Sequence, residues 1–410
     1  MRSNAGIRRL VDRLPRPAAP SSDSFTSPLH DPRVTSRVGV ILGAGIAVCF
    51  VTGVISHLQQ HPLSWLPLPT GPAWGYRLTQ GLHVAVGLAL IPLFFVKVWT
   101  VYPKLYQIPR VRSATHALER LSVALLVAST LFQLVTGVFN IVHWYPWPFF
   151  FTTAHFAVAW VVAGSVLLHL SVQWPRITAS LARSTAADAP GDDAEAPPSQ
   201  VAGDSPVGSE PVAGGMSRRA LFAAAAASVG VITLTTLGQS VRRLEPFAVL
   251  SPRLPRTSPG GIPINRTARE ARVAAAALHP GYHLVVAGLT ELTLTLADLA
   301  ARAQTTVRLP IACVEGWSAD GVWTGVRLSE LLEEAGVAPG TTVRVVSLER
   351  GGLYAASEVV PSVARDPRTL LALRLGGEQL TLDHGFPVRL VAPNRPGVLQ
   401  TKWVARVEPT

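Results

Sequence analysis

Charge and sulfur are both scarce in this chain. Only 15% of its 410 residues are Asp, Glu, Lys or Arg, and there are two cysteines and two methionines. The cysteines, Cys49 in an apolar block and Cys313 far along the chain, exclude the disulfide framework of a small secreted scaffold. So few charges beside 48% apolar residues are too little for an ordinary soluble protein. The net charge of +11 does not mark a nucleic-acid binder. The basic residues form no stripe interleaved with aromatics, and many flank apolar blocks, where membrane topology places them. Membrane lipid is the expected partner, and nucleic acid is not.

Long apolar runs fill most of the first 240 positions. Val38 to Ser56, Leu82 to Val101, Leu121 to Val142 and Thr153 to Trp174 each have the roughly 20 residues that a membrane-crossing helix needs. A fifth, Ala220 to Leu237, is milder and rich in Ala and Thr. Lysine and arginine alternate between the connections. Seven lie in residues 1–37, one (Arg77) in 57–81, four in 103–120, none in 143–155 and four in 175–219. This bias puts the N-terminus inside the cytoplasmic membrane and everything after the fifth span outside. Trp65, Trp74, Trp144, Tyr145 and Trp147 then fall in outer loops, where interfacial aromatic belts form.

The spacing divides the chain into a cytoplasmic tail (1–37), a four-helix transmembrane domain (38–175), a linker (176–216), a fifth anchor helix (217–240) and a soluble domain (244–410). The linker is Ala, Pro, Ser, Gly and Asp with few large apolar side chains, a composition that cannot bury a core. Ser217-Arg218-Arg219-Ala220-Leu221-Phe222 follows it and resembles a twin-arginine export signal with the usual Phe-Leu order reversed. No small-x-small cleavage site follows the span, so the segment is expected to remain as an anchor.

Ionisable groups inside transmembrane segments are costly and usually functional. His57 ends the first span, His83 opens the second and His155 opens the fourth, which puts all three near the outer face. His169 follows His155 by 14 residues, a rise of about 21 Å that returns to within about 40° of the same helix face. Paired imidazoles in a helical bundle are a common cradle for haem b. In helix count and histidine placement, the first 175 residues resemble a di-haem cytochrome b of the cytochrome b561 type. Lys97 stands 14 residues after His83, where a symmetric two-haem pattern would have histidine. The preferred pair is His83 with His155, with His57 as the substitute and His169 as ligand to a second haem.

From about Leu244 the pattern shifts to short strands and amphipathic helices. His283 to Leu289, Thr342 to Leu348, Pro387 to Val391 and Lys402 to Val407 read as strands, and Ser329 to Ala335 and Pro367 to Leu375 as helices. Three stretches stand out: Leu309-Pro-Ile-Ala-Cys313-Val-Glu-Gly316-Trp317-Ser318, His384-Gly385-Phe-Pro387-Val-Arg389-Leu390, and Gly397-Val-Leu-Gln-Thr-Lys402-Trp403-Val404. A soft thiolate suits a high-valent metal, and Arg and Lys suit a phosphate-bearing ligand. Trp317 and Trp403 read as core anchors.

In order and spacing these motifs resemble the molybdopterin-binding domain of the sulfite oxidase family, a mixed α/β fold. The resemblance implies that Cys313 ligates molybdenum as the catalytic residue. It also implies that Pro263-Ile-Asn265, His384, Arg389 and Lys402 hold the pterin and its phosphate. Two departures accompany it. Val314-Glu315-Gly316-Trp317 stands where sulfite oxidases carry an arginine pair and an asparagine, so sulfite is not the expected substrate. The sequence also ends after the Lys402 strand, leaving no room for the family's immunoglobulin-like domain. The nearer likeness is to periplasmic molybdenum reductases that repair methionine sulfoxide alongside a separate haem-bearing membrane subunit. The expectation is therefore a membrane-anchored oxidoreductase acting on a small molecule or an oxidised residue, exchanging electrons through haem b with the quinone pool or another membrane carrier. The alternatives are a bundle that only anchors the enzyme, or a non-catalytic binding protein that reuses the fold.

Overall fold

A computed structural model describes residues 27–63, 65–66, 68–106, 113–187, 216–352 and 354–410. Five of its helices are long and apolar enough to cross a membrane: α1 (Pro32–Gln60), α2 (Gly75–Val101), α3 (Ala114–Ile141), α4 (Phe151–Ala187) and α5 (Arg218–Thr236). In α1 and α2 the Val, Leu, Ala and Phe content is all-round rather than confined to one stripe. Large side chains such as Leu167, Phe95 and Val51 are accordingly exposed on the protein surface. Each helix begins before its expected span. The helix α4 runs through Pro175 to Ala187 because Ile-Thr-Ala-Ser-Leu-Ala-Arg keeps good helix formers coming. That replaces the start of the expected linker; its remainder, 188–215, and residues 1–26 of the tail lie outside the described residues.

The chain forms two compact units. The smaller takes Met1–Leu42, Pro92–Leu125 and Leu167–Ala226. In it Leu29, Val34 and Leu221 pack together, and Arg218 pairs with Asp31 at 2.6 Å. Lys97 donates to the Thr35 carbonyl at 2.7 Å and lies against Gly39, where a Cβ would come within 2.8 Å of its Nζ. His169 belongs to this unit and has no ring partner among the described residues.

The larger unit takes Gly43–Ile91, Leu126–Val166 and Ala227–Thr410. Its C-terminal part carries the strands β1 (His283–Val286), β2 (Leu292–Thr295), β3 (Thr305–Ala312), β4 (Ser318–Arg327), β5 (Val343–Ser347), β6 (Ala356–Val359), β7 (Leu370–Leu375), β8 (Glu378–Gln379), β9 (Arg389–Val391) and β10 (Val404–Pro409). One sheet has the order β2-β1-β10-β5-β6, and the other β3-β4-β7-β8 with β9 on β7. Short helices α6 (Leu296–Ala301) and α7 (Leu328–Glu334) bury Leu299, Leu331 and Leu332 in a core shared with Leu284, Val345 and Leu390. Each such side chain removed from water contributes about 1.5–3 kcal/mol.

The expected strands at 283–289, 342–348, 387–391 and 402–407 and the helix at 329–335 all correspond to elements of this fold, with their ends shifted by one to three residues. Residues 367–375 are the correction. They were expected as a helix opening on a proline, and instead Leu370–Leu375 is strand β7, paired with both β4 and β9. Leu370, Leu371, Ala372 and Leu373 are all buried, as in a strand covered on both faces. A continuous apolar run of this length does not show a period, so the leading proline misdirects the sequence reading.

Candidate functional site

Strands β3 and β4 form an antiparallel hairpin whose register runs to Ala312↔Ser318. Residues 313–317 are thus its connecting loop, with Cys313 the first residue after β3. The Cys313 amide donates to the Trp317 carbonyl at 2.9 Å, and the Gly316 amide to the Cys313 carbonyl at 3.0 Å. Gly316 adopts φ 95°, and a Cβ there would also lie 3.1 Å from Val84 and 3.0 Å from Gln239. Only glycine serves at so close an approach.

Cys313 is 1% exposed. Burial, followed by the Glu315 carboxylate, pushes its thiol well above the usual range, while Arg253 and Lys402 act in the opposite direction. A thiol in this setting stays protonated at neutral pH and is a poor free nucleophile. It becomes a thiolate only when a metal cation takes the proton's place, since a coordinating thiol is deprotonated outright.

Glu315 is also buried. Its carboxylate accepts from Arg253 Nε at 2.8 Å and Trp317 Nε1 at 3.1 Å, and His143 Nε2 lies 3.6 Å away. Burial raises this carboxyl, and Arg253 and His143 offset that. Trp317 and Trp403, at 3% and 2% exposure, are the core anchors expected of them.

The second motif lies next to the third. Gly385, at φ 110°, lets its backbone pass within van der Waals range of Arg389 and Lys402. Arg389 is 4% exposed, donates from Nη1 to the His384 carbonyl at 3.1 Å, and stacks over Trp323. Its Nε is buried without a partner. Lys402 Nζ donates to the carbonyls of Arg266 and Asp383 at 2.7 and 2.9 Å. Burial and the charge of Arg389 push Lys402 down to about 7, and burial pushes Arg389 down to about 10. Arg395 is likewise buried, bonded only to carbonyls, and lowered to about 10. Among the described residues none of these three cations has a carboxylate within ion-pair distance. Two buried cations, Arg389 and Arg395, and the half-buried Lys402, all without counter-charges, are costly unless an anion joins them. Buried Ser318 Oγ and Gln400 Oε1 also lack partners. Arg389 and Lys402, whose charges act on Cys313, fit a polyanionic, hydrogen-bonding ligand beside it.

His384 is 2% exposed, with its Nε2 3.0 Å from the Ile262 carbonyl and Nδ1 2.9 Å from Thr381 Oγ1. Both ring nitrogens are engaged within the protein, and Nε2 ties Ile262 to the second motif. Lys402 holds the same 262–266 strap through the Arg266 carbonyl, and Arg253 bonds the Ile264 carbonyl. Asn265 lies on this strap, half-buried.

The same unit contains the imidazole pair. The rings of His83 and His155 lie 6.0 Å apart at 65°. His83 Nδ1 is 3.0 Å from the Cys49 carbonyl and 3.1 Å from Thr52 Oγ1; His155 Nδ1 is 3.0 Å from Thr136 Oγ1. Each Nδ1 is engaged, which fixes the ring and leaves Nε2 for other contacts, the usual device for orienting a histidine ligand. Gly53 and Gly137 keep the ring edges uncrowded, at 3.2 and 3.8 Å from the site of a Cβ. His57 is elsewhere, stacked on Phe156 at 3.6 Å and beside His61.

Residues 272–410 match the family described as oxidoreductase molybdopterin binding domain. Sulfite oxidase of Drosophila melanogaster is 33% identical over 29% of this chain and 25% of its own length. The uncharacterised oxidoreductase YuiH of Bacillus subtilis is 32% identical over 31% of this chain and 64% of its own. A nitrate reductase of Hordeum vulgare is 37% identical over 21% and 11%. The chain thus spans a quarter of the insect enzyme and under two thirds of the bacterial protein. The sulfane dehydrogenase SoxCD of Paracoccus pantotrophus aligns at 27% identity over 32% of this chain and 38% of its own, with a TM-score of 0.29, too low to bear on the fold. The C-terminal region is a molybdopterin-binding oxidoreductase domain homologous to those of sulfite oxidase and nitrate reductase, without being tied to sulfite.

Several residues of the larger unit escaped the sequence reading as site residues. Arg253 and Arg395 sit in no motif, and Tyr145 and Tyr354, whose hydroxyls are raised by burial with Cys313 adding to the effect, carry no spacing signal. Lys402→Ala is expected to weaken pterin retention about 10- to 100-fold, as loss of a charge-assisted contact worth roughly 1.5–3 kcal/mol implies. Pterin released from purified protein on dilution measures it, and wild-type retention would remove Lys402 from the cradle.

Proposed function

We propose that the chain is a membrane-anchored molybdopterin-dependent oxidoreductase whose catalytic domain faces the outside of the cytoplasmic membrane. It exchanges electrons with the quinone pool through one haem b between His83 and His155. Its divisions are those of the sequence reading: a transmembrane domain of the cytochrome b561 type over 38–175, an anchor over 217–240 and the catalytic domain over 244–410. The observation that carries the reading is the pair of facing imidazoles, each pinned at Nδ1, in the same compact unit as Cys313.

When bound, the molybdenum supplies two-electron redox chemistry. The chain's residues do the rest. Cys313 offers one sulfur ligand from a hairpin loop whose backbone is fixed at both ends. Arg389, Lys402 and Arg395 neutralise the anionic pterin, and the Asn265 segment closes over it. Glu315, held by Arg253 and Trp317, replaces the cationic oxyanion contact of sulfite oxidases, which favours a neutral oxidised substrate, a small molecule or an oxidised side chain, over sulfite. Lys97, filling the space beside Gly39, favours a single haem, leaving His169 without an iron to ligate.

Topology gives the direct test. Exchange of both Arg218 and Arg219 for lysine keeps the inner-side charge while removing the arginine pair. Protease accessibility of a C-terminal tag on intact spheroplasts is expected in the wild type and lost in this variant. A tag protected in the wild type would place the catalytic domain inside and overturn the reading; full accessibility in the variant would remove only the twin-arginine route.

A further inference from the structure

The Cys313 loop is held by the membrane helices themselves. The Val314 carbonyl, on the residue next to Cys313, accepts from Gln80 Nε2 of α2 at 3.3 Å and from Asn140 Nδ2 of α3 at 2.9 Å. Two residues on, the Gly316 carbonyl accepts from Ser240 Oγ at 2.5 Å, and Ser240 is tied by its own carbonyl to Arg77, which also pairs with Asp320 at 2.9 Å. Gln80 is 7% exposed, and its Oε1 accepts from Ser56 Oγ at 3.2 Å. A carboxamide buried on an otherwise apolar helix is costly, and both of its ends are used here.

The placement of these two amides relative to the imidazoles is what matters. Gln80 lies one helical turn before His83, and the next residue, Val84, packs against Gly316. Asn140 lies one turn after Thr136, whose Oγ1 fixes His155. The two helices that position the imidazole pair therefore meet on one peptide carbonyl, adjacent to the expected molybdenum ligand.

We propose that Gln80 and Asn140 are positioning residues that hold the Cys313 loop at a fixed separation from the His83–His155 pair, making the Val314 peptide the bridge for single electrons between the two metal sites. This rests on the haem reading given above. In each passage one metal is oxidised and the other reduced; no bond forms or breaks and no proton moves. Two passages match one two-electron conversion at the Cys313 site, and a quinone is the membrane-side donor or acceptor.

The test uses the purified full chain with both metals bound. Gln80→Glu and Asn140→Asp keep side-chain size but present carboxylates, which cannot donate to a carbonyl. A light flash with a flavin donor reduces the haem, and decay of its reduced band follows electron sharing with molybdenum. In the double variant that decay is expected to slow about 10- to 100-fold, the scale for small misplacements of reacting groups. Molybdenum content, haem content and the Mo(V) electron-paramagnetic-resonance line shape should stay as in the wild type. A decay unchanged in a double variant that holds both metals overturns the bridge. If the double variant does not accumulate, Asn140→Ser alone carries the same expectation at its lower end, and an unchanged decay there overturns it too. A wild-type protein with no b-type band fails the haem reading itself, and the bridge with it.

Discussion

Replacing Cys313 by serine is expected to reduce turnover at least about 100-fold while most of the pterin stays bound, since even the residues behind a metal ligand typically cost 10- to 100-fold when lost. The expectation follows from how the work is divided at the site. On the proposed reading, pterin retention is spread over Arg389, Lys402, Arg395 and the 262–266 strap, all held by contacts that do not involve the sulfur. Cys313 contributes one atom, at the end of β3, and its buried thiol has no charge to offer until a metal displaces the proton. Serine keeps the backbone hydrogen bonds to Trp317 and Gly316, so the fold should not change. Turnover, fluorescence of extracted pterin and the Mo(V) electron-paramagnetic-resonance signal measure the three consequences. A serine variant with wild-type turnover and an unchanged signal would make this thiol a packing residue of the core around Trp317 and Trp323.

Loss of either imidazole should abolish haem. His83→Ala and His155→Ala are each expected to remove the b-type band from dithionite-reduced membranes, because a haem iron with two axial histidines loses half its protein ligation in either variant. His57→Ala, by contrast, should leave the band largely intact, since that ring stacks on Phe156 rather than facing the pair. His169→Ala should also leave it intact if Lys97 occupies the place of a second haem's ligand. Reduced-minus-oxidised spectra of the four variants separate these outcomes. Full haem content in both His83→Ala and His155→Ala would show that the 6.0 Å pair has a structural role only.

The long apolar helices and the three motifs around Cys313, His384 and Lys402 were readable in the sequence because each rests on a strong local signal: unbroken hydropathy, or fixed residue types at short spacing. Leu370–Leu375 was not, because a strand buried on both faces leaves no alternation to detect, and Pro367 before it imitates a helix start. The preference for His83 with His155 came from placing each near one end of a span, and the structure brings those two rings together. It could not show that His57 turns away, since one helical turn of rotation decides that and packing against Phe156 sets it. The role of Glu315 was half-visible. Its position in the motif departed from the sulfite oxidase pattern, but its partner Arg253 lies 62 positions earlier, in a stretch without periodicity. Gln80 and Asn140 did leave a signal, as amide side chains at the ends of apolar helices. What they bind could only come from the fold.

The central claim is one chain carrying both a molybdenum site and a haem. Elemental analysis of the detergent-purified protein tests it most directly, by reading molybdenum and iron in the same sample against protein concentration. Equimolar molybdenum and iron, with the molybdenum lost before the iron when the pterin cradle is disrupted by Lys402→Ala, is the expected result. Preparations that fold and insert normally from molybdenum- and iron-replete cells yet contain neither metal would contradict it.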